Sequence, residues 1–378
     1  MNGEIRAKVF EGAKIPDHLK PSDPRFGCGP SLIPILHVEN LLKTGHQYLG
    51  TSHRKLAVRN RVKEIQEGLK KYFNAPEDYS VILGNGGATL VFDMVALGLV
   101  EKKVTHFTCG EFSEKWFQSS QAVKWISSEQ IKKGVGEGNN GYDVLSSDVI
   151  CVTLNETSTG VQMSELPKVH SQAILCVDAT SGAGQCPCDL SAVDFYFFSP
   201  QKVFASDGGL WIALLSPKAR ARALKIAEDK SRYIPEMLSF KQAIVNGEQN
   251  QTYNTPALTT IFLLNEQIKL MNNLGYKKVQ EMAKEKARHI YSWAESKEYL
   301  SPYVKDEKFR SVAVATINVD EKYDVGTMIE LFEKEKVAYG IDAYRKLGKN
   351  QFRISLFHNI TISDLKKLTD LISHLIEN

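Results

Sequence analysis

The sequence predicts an α/β protein: a large domain with a mostly parallel sheet flanked by helices, then a smaller α+β domain at the C-terminal end. Three observations predict it. Short, continuously apolar runs alternate with amphipathic stretches from about residue 25 to 260, as expected of strands buried on both faces and joined by helices. After about residue 265 the pattern changes to long helices and a half-buried alternating strand. The length of 378 residues also exceeds one ordinary domain of about 150 residues.

Residues 1–25 read as an irregular arm carrying Pro16, Pro21 and Pro24. A helical period over 55–73 is set by Val58, Val62, Ile65, Leu69 and Phe73. Val81–Leu83 is a strand that runs into glycines, Thr89–Val100 a helix, Val104–Thr108 a strand and Ser113–Val123 the next helix. Val149–Leu154, Ala173–Val177, Phe195–Phe198 and Leu210–Leu215 are four more strands. A long helix is expected over 257–297 with a break at Asn272–Gly275, then a strand over Ser311–Val319, a helix over Val325–Lys336 and a strand over Gln351–Leu356. The last helix, Ser363–Ile376, carries Leu365, Leu368, Leu371, Ile372, Leu375 and Ile376 on one stripe, with Ser363 as its N-cap. The chain thus divides into an arm (1–25), a large domain (26–262) and a small domain (263–378), and the crevice between the domains is the expected ligand site.

Composition narrows the function classes. Hydrophobic residues make up 43% and charged residues 24%, which excludes a disordered chain, a collagen-like chain and a coiled-coil rod. With 47 basic and 44 acidic residues the net charge is only +3, so no global charge points to nucleic acid or a membrane surface. No apolar run approaches the roughly 18 residues of a membrane helix. The N-terminal stretch resembles neither a signal nor a transit peptide, so a cytoplasmic protein is expected. The six cysteines read as free thiols in a reducing compartment, and the nine histidines form no metal-ligand spacing, so no metal site is expected.

Ligands of α/β sheets gather beyond the carboxyl ends of the strands. The residues after each apolar run are therefore the candidates. After Val81–Leu83 come Gly84, Asn85, Gly86, Gly87, Ala88 and Thr89, then a helix. Glycines let a ligand approach the backbone, and a helix N-terminus supplies free N–H groups and partial positive charge. Gly87, Ala88 and Thr89 are thus either a phosphate cradle or simply a tight turn. Asp178 follows Ala173–Val177, where a carboxylate is costly unless paired; capping the next turn is its plain structural reading. Lys202 follows Phe195–Phe198 through Ser199, Pro200 and Gln201, and half burial there would make its amine nucleophilic. His53-Arg54 and Tyr344-Arg345-Lys346 are local basic clusters, readable also as solvated surface charge. Arg353 sits inside the apolar Phe352–Phe357, where an unpaired charge is expensive.

Cradle, strand-end Asp and strand-end Lys in this order form the pattern of fold-type-I pyridoxal-phosphate enzymes. Further motifs are Phe26-Gly27-Cys28-Gly29-Pro30-Ser31, Gly50-Thr51-Ser52-His53-Arg54, Asn155-Glu156-Thr157-Ser158-Thr159-Gly160, Tyr253-Asn254-Thr255-Pro256 and Gln351-Phe352-Arg353-Ile354-Ser355. On these the chain resembles the phosphoserine aminotransferase family of the class V aminotransferases, from Arg25 to the last helix. The resemblance implies pyridoxal 5'-phosphate as cofactor and ping-pong transamination between O-phosphoserine/2-oxoglutarate and 3-phosphohydroxypyruvate/glutamate, in serine biosynthesis. It implies Lys202 as the Schiff-base lysine and Asp178 as partner of the pyridine nitrogen. Gly87, Ala88, Thr89 and Gln201 would hold the phosphate, Phe112 would stack on the ring, and Thr157 would reach the phenolic oxygen. Asn254 and Thr255 would come from the neighbouring subunit of a homodimer, as would His53 and Arg54. Arg353 would grip the substrate α-carboxylate; His53, Arg54 and Arg345 would hold the substrate phosphate or the glutamate side chain. Three positions depart from the family: Phe112 where many members have Trp, Tyr344 where many have His, and Ala88-Thr89 where many have an Arg. The alternative expectation is another class V aminotransferase acting on alanine, serine or glyoxylate.

Overall fold

The computed structural model describes residues 8–10, 12–138 and 143–378. Two helices, Ile35–Thr44 (α1) and Leu56–Phe73 (α2), precede the main sheet. The five apolar residues read from the sequence are all buried on α2, and the helix ends at Asn74, whose left-handed φ of 47° lets its N–H reach the carbonyls of Lys70 and Lys71. The sheet region then runs through Ser80–Gly86 (β1), Ala88–Gly98 (α3), Lys103–Thr108 (β2), Glu111–Gln121 (α4), Ser127–Lys132 (β3) and Val149–Thr153 (β4). A short antiparallel pair, Asn155–Glu156 (β5) and Val161–Gln162 (β6), follows, then Ile174–Asp178 (β7), Phe195–Phe198 (β8) and Gly209–Leu215 (β9).

The seven strands lie in the order β1-β9-β8-β7-β4-β2-β3. Neighbours from β8 to β3 are parallel; β9 is antiparallel to both β8 and β1. Six strands therefore point one way, and their carboxyl ends share one edge. Alternate residues feed opposite faces. Ile150, Val152, Leu175, Val177, Tyr196 and Phe198 pack with Ile65 and Leu69 of α2, whereas Val149, Cys151, Ile174, Cys176, Phe195 and Phe197 pack with Val91 and Val95 of α3. This two-sided burial is why the runs read as continuously apolar.

Pro217–Ala227 (α5) and Phe240–Glu248 (α6) cover the sheet, followed by Leu258–Leu274 (α7) and Tyr276–Glu295 (α8). The expected break in the long helix lies at Gly275, where φ is +84°. Leu300–Pro302 (β10), Val314–Val319 (β11), Val325–Lys334 (α9), Gln351–Ser355 (β12) and Ile362–Glu377 (α10) complete the chain. β10, β11 and β12 form a separate antiparallel sheet. Its core joins Ile317, Phe352 and Ile354 to Ile290 of α8, to Leu368 and Ile372 of α10, and to Phe10 and Phe26 from the N-terminal segment. Ile261, Phe262, Ile268 and Met271 of α7 belong to the first core.

Four expectations need correction. The N-cap of α10 is Thr361, not Ser363: Thr361 Oγ1 accepts the Asp364 N–H at 3.0 Å and donates to the Asp364 carboxylate at 2.9 Å, a capping contact that Ser363, inside the first turn, cannot make. The strand expected from Ser311 begins at Val314, because the Ser311 hydroxyl accepts the N–H groups of Ala313 and Val314 and holds a turn. α4 begins at Glu111, two residues before Ser113. Helix α9 stops at Lys334, short of Lys336, which has φ +56°. Helices α1, α5 and α6 and the polar strand β3 had no counterpart in the sequence reading. Among the described residues, no helix is long and apolar enough to cross a membrane.

Candidate active site

Five connections leaving the shared strand edge carry candidate residues. After β1, Gly87 is the extended N-cap of α3, and the Ala88 N–H donates to Ser199 Oγ at 2.7 Å. The Ser199 hydroxyl also lies 3.2 Å from the Leu210 carbonyl, to which it donates. Ser199 thus ties the glycine turn to the turn after β8. Thr89, at the open end of α3, is exposed, and its side chain makes no hydrogen bond among the described residues.

After β2, the first turn of α4 presents Phe112. This turn is fixed by Glu156, a carboxylate with no solvent exposure. Glu156 accepts the N–H of Phe112 at 3.2 Å and of Ser113 at 2.9 Å, and the hydroxyls of Ser113 at 2.9 Å and Ser158 at 2.6 Å. A buried carboxylate is tolerated there because the helix N-terminus supplies both donors and positive charge. Gly110 has to lack a side chain, since a Cβ would collide with the Glu156 side chain. After β4, Thr157 is buried and its hydroxyl donates to Ser181 Oγ at 2.7 Å.

Asp178 ends β7 and is almost wholly buried. Its Oδ1 accepts the N–H of Thr180 at 2.9 Å and its hydroxyl at 2.5 Å; Oδ2 accepts no hydrogen bond among the described residues. Burial, only partly opposed by Thr180, pushes the carboxyl up to about 6. One strand over, Lys202 follows β8, and its amine donates to the Cys28 carbonyl at 2.6 Å. Burial draws the amine down to about 8, with Arg353 adding to the effect. The segment Cys28 to Ser31 is shaped around this lysine. Gly29 has φ +140°, and a Cβ there would strike the lysine side chain. Ser31 binds the carbonyls of Gln201 and Lys202 through its N–H at 2.8 Å and its hydroxyl at 2.5 Å. Gln201 Oε1 is buried without a partner among the described residues.

Arg353 arrives from the second sheet, on β12. Its Nη1 donates to the Thr157 carbonyl at 3.3 Å and its Nε to the Asp342 carbonyl at 3.4 Å. Its guanidinium carbon lies 5.4 Å from the centre of the Tyr344 ring, which meets the Phe112 ring edge-on at 5.8 Å. No carboxylate pairs with Arg353 among the described residues, so a half-buried cation faces the strand edge with donor capacity left over.

The remaining candidates form a second group. His53 Nδ1 lies 3.1 Å from Thr255 Oγ1, and the Asn85 amide donates to Asn254 Oδ1 at 2.9 Å and to the Thr255 carbonyl at 2.7 Å. Arg54, Asn254 and Thr255 are exposed. His53 is buried, and its imidazole is held below its usual range by burial and by Arg54. No hydrogen bond or ion pair among the described residues joins this group to Lys202, Asp178 or Arg353. Arg345 is exposed and forms no ion pair there. Sequence reasoning missed Glu156, Ser199 and Asn85. Glu156 had a signal, a carboxylate directly after a buried strand; Ser199 and Asn85 had none beyond their place in motifs.

An aminotransferase class-V family model matches residues 143–368. A phosphoserine aminotransferase of Corynebacterium glutamicum is 40% identical over 366 residues, covering 96% of this chain and 97% of that protein. The crystal structure of a phosphoserine aminotransferase from Cytophaga hutchinsonii superposes with a TM-score of 0.85 at 25% identity, covering 93% of this chain and 98% of the other. A PLP-bound phosphoserine aminotransferase from Trichomonas vaginalis shares the fold, with a TM-score of 0.79 at 19% identity over 93% and 99% of the two chains. The chain belongs to the class-V aminotransferase family, on its phosphoserine aminotransferase branch.

Proposed function

We propose that the protein uses pyridoxal 5'-phosphate to exchange an amino group between glutamate and 3-phosphohydroxypyruvate, giving 2-oxoglutarate and O-phosphoserine, a step of serine biosynthesis. The observation that carries this reading is the strand-edge arrangement of Lys202 and Asp178, with Arg353, which has no carboxylate partner among the described residues, reaching that edge from β12 of the second sheet. The residues fit the cofactor. Asp178 Oδ2 lacks a partner among the described residues and its carboxyl is raised by burial, as suits a site completed by a protonated ring nitrogen. Gln201 Oε1 is buried without a partner among the described residues, two residues after Ser199, whose hydroxyl is tied to the α3 N-terminus where Gly87, Ala88 and Thr89 offer an anion cradle. Phe112 would provide the stacking face, Thr157 a hydroxyl, and Lys202 the amine that holds the cofactor.

Bound there, the cofactor supplies an electron sink for the bonds at the amino acid's α-carbon. The chain's own groups do the rest. With its amine drawn down to about 8, roughly a tenth of Lys202 is neutral at pH 7, against well under a thousandth for an ordinary lysine near 10.4. That neutral amine can take the α-proton and return it. Arg353 holds the α-carboxylate through its fork of N–H donors. Asp178 keeps its negative charge against the ring nitrogen, and Thr180 fixes its orientation.

The reading also covers assembly. The group of His53, Arg54, Asn254 and Thr255 is well suited to completing the site of a second copy: Asn254 and Thr255 toward the cofactor phosphate, His53 and Arg54, with Arg345, toward the substrate phosphate or the glutamate side chain. The active unit is then a homodimer with shared sites, and the cytoplasm is its setting. The same reading divides the chain into an arm (1–25), a large domain (26–262) that carries the cofactor and a small domain (263–378) that carries Arg353. Lys202→Ala is the direct test: it removes turnover and changes the visible absorbance of the cofactor-loaded protein. Normal turnover by that variant would refute the assignment. The comparisons favour this substrate pair over alanine, serine or glyoxylate, because the named relatives at 40% identity are phosphoserine aminotransferases.

A further inference from the structure

One side chain at the site makes contacts that no step above uses. Tyr344 lies in the turn before β12, closed by the Leu347 N–H donating to the Tyr344 carbonyl at 2.8 Å. Its ring is half-buried between Arg353, 5.4 Å from ring centre to guanidinium carbon, and Phe112, 5.8 Å between ring centres at an interplanar angle of 65°. Two residues on, Lys346 pairs with the carboxylate of Glu111, the residue before Phe112. An ion pair therefore fastens the turn before β12 to the first turn of α4, and Tyr344 fills the space between them. The Tyr344 hydroxyl makes no hydrogen bond among the described residues, so the ring is what the surroundings use.

Arg353 needs such support. Its two hydrogen bonds, at 3.3 and 3.4 Å, are long and go to neutral carbonyls, too weak to hold a flexible side chain in one orientation. An aromatic face restricts the plane of a guanidinium while leaving its edge donors free for a carboxylate.

We propose that Tyr344 is a positioning residue: its ring fixes the plane in which Arg353 meets the substrate carboxylate and sets that plane relative to Phe112, while the Lys346–Glu111 pair keeps the turn closed over the site. The inference rests on Arg353 being the carboxylate-binding group.

The test uses the cofactor-loaded enzyme. In Tyr344→Leu, losing a partly desolvated cation–π contact raises KM for glutamate and for 2-oxoglutarate about tenfold, with kcat within about twofold. The dissociation constant of succinate, a non-reacting dicarboxylate, rises in parallel by calorimetry, and Tyr344→Phe restores both. An unchanged KM in Tyr344→Leu, a fall confined to kcat, or equal damage in Tyr344→Phe would each overturn the proposal. If Tyr344→Leu does not fold, Glu111→Gln tests the clasp: KM for the same substrates rises about twofold as the ion pair is lost, and no change counts against it. Wild-type protein that fails to transaminate glutamate would instead refute the function itself.

Discussion

Asp178→Asn separates the cost of the buried carboxylate from its use. In the cofactor-free protein no cation pairs with Oδ2 among the described residues, and burial raises the group from 3.8 to about 6, with Thr180 and the Lys202 charge opposing it only in part. The native state then binds the proton more tightly than the unfolded chain. The carboxyl's contribution to stability is therefore greatest below pH 3.8 and is lost as pH rises through about 6. The full difference is about 2 pKa units, or roughly 3 kcal/mol at 1.36 kcal/mol per unit, and about 2 kcal/mol of it falls between pH 4.5 and pH 8. Asn keeps an Oδ1 acceptor for both Thr180 bonds and has no charge to bury. Urea unfolding of the cofactor-free proteins should therefore show the variant gaining about 2 kcal/mol on wild type as pH rises from 4.5 to 8. The same variant should hold pyridoxal phosphate less tightly, because the ring nitrogen loses its counter-charge. A stability difference that is flat with pH, or that grows toward acid, would refute the reasoning.

Arg353→Ala removes the carboxylate fork and should raise KM for amino donors and keto acids alike by a factor on the order of 10 to 100 in steady-state assays; an effect confined to phosphorylated substrates would contradict its role. Mixing inactive Lys202→Ala and Arg54→Ala proteins under conditions of subunit exchange should recover activity, because one hybrid site then has both native groups. Recovery should be read by coupled assay, and none despite demonstrated exchange would place Arg54 within its own chain's site.

The main sheet was legible because its strands are buried on both faces, which forces unbroken apolar runs such as Phe195–Phe198. β3 was not, because Ser127–Lys132 is an edge strand that is exposed or half-buried and keeps polar side chains. The reversal of β9 was also hidden: pairing direction leaves no mark on a buried apolar run. Asp178 and Lys202 stood out as candidates because a parallel sheet delivers its strand ends to one edge, whereas Gln201 was a candidate only through the family resemblance. Glu156 and Ser199 escaped notice because their partners, the N–H groups of α4 and α3, come from elements 43 to 111 residues away. The Thr361 cap was legible after all, since Thr361 and Asp364 stand at capping-box spacing and Ser363 only lies closer to the apolar stripe.

The proposed site is a lysine-held cofactor beside groups selective for carboxylate and phosphate. An absorbance titration of the purified, cofactor-loaded protein with O-phosphoserine, serine and glutamate in turn tests it most directly. The visible band should be lost with O-phosphoserine and with glutamate and persist with serine. Bleaching by serine or alanine would contradict the phosphate-selective site, and no visible band after addition of pyridoxal phosphate would contradict the chemistry altogether.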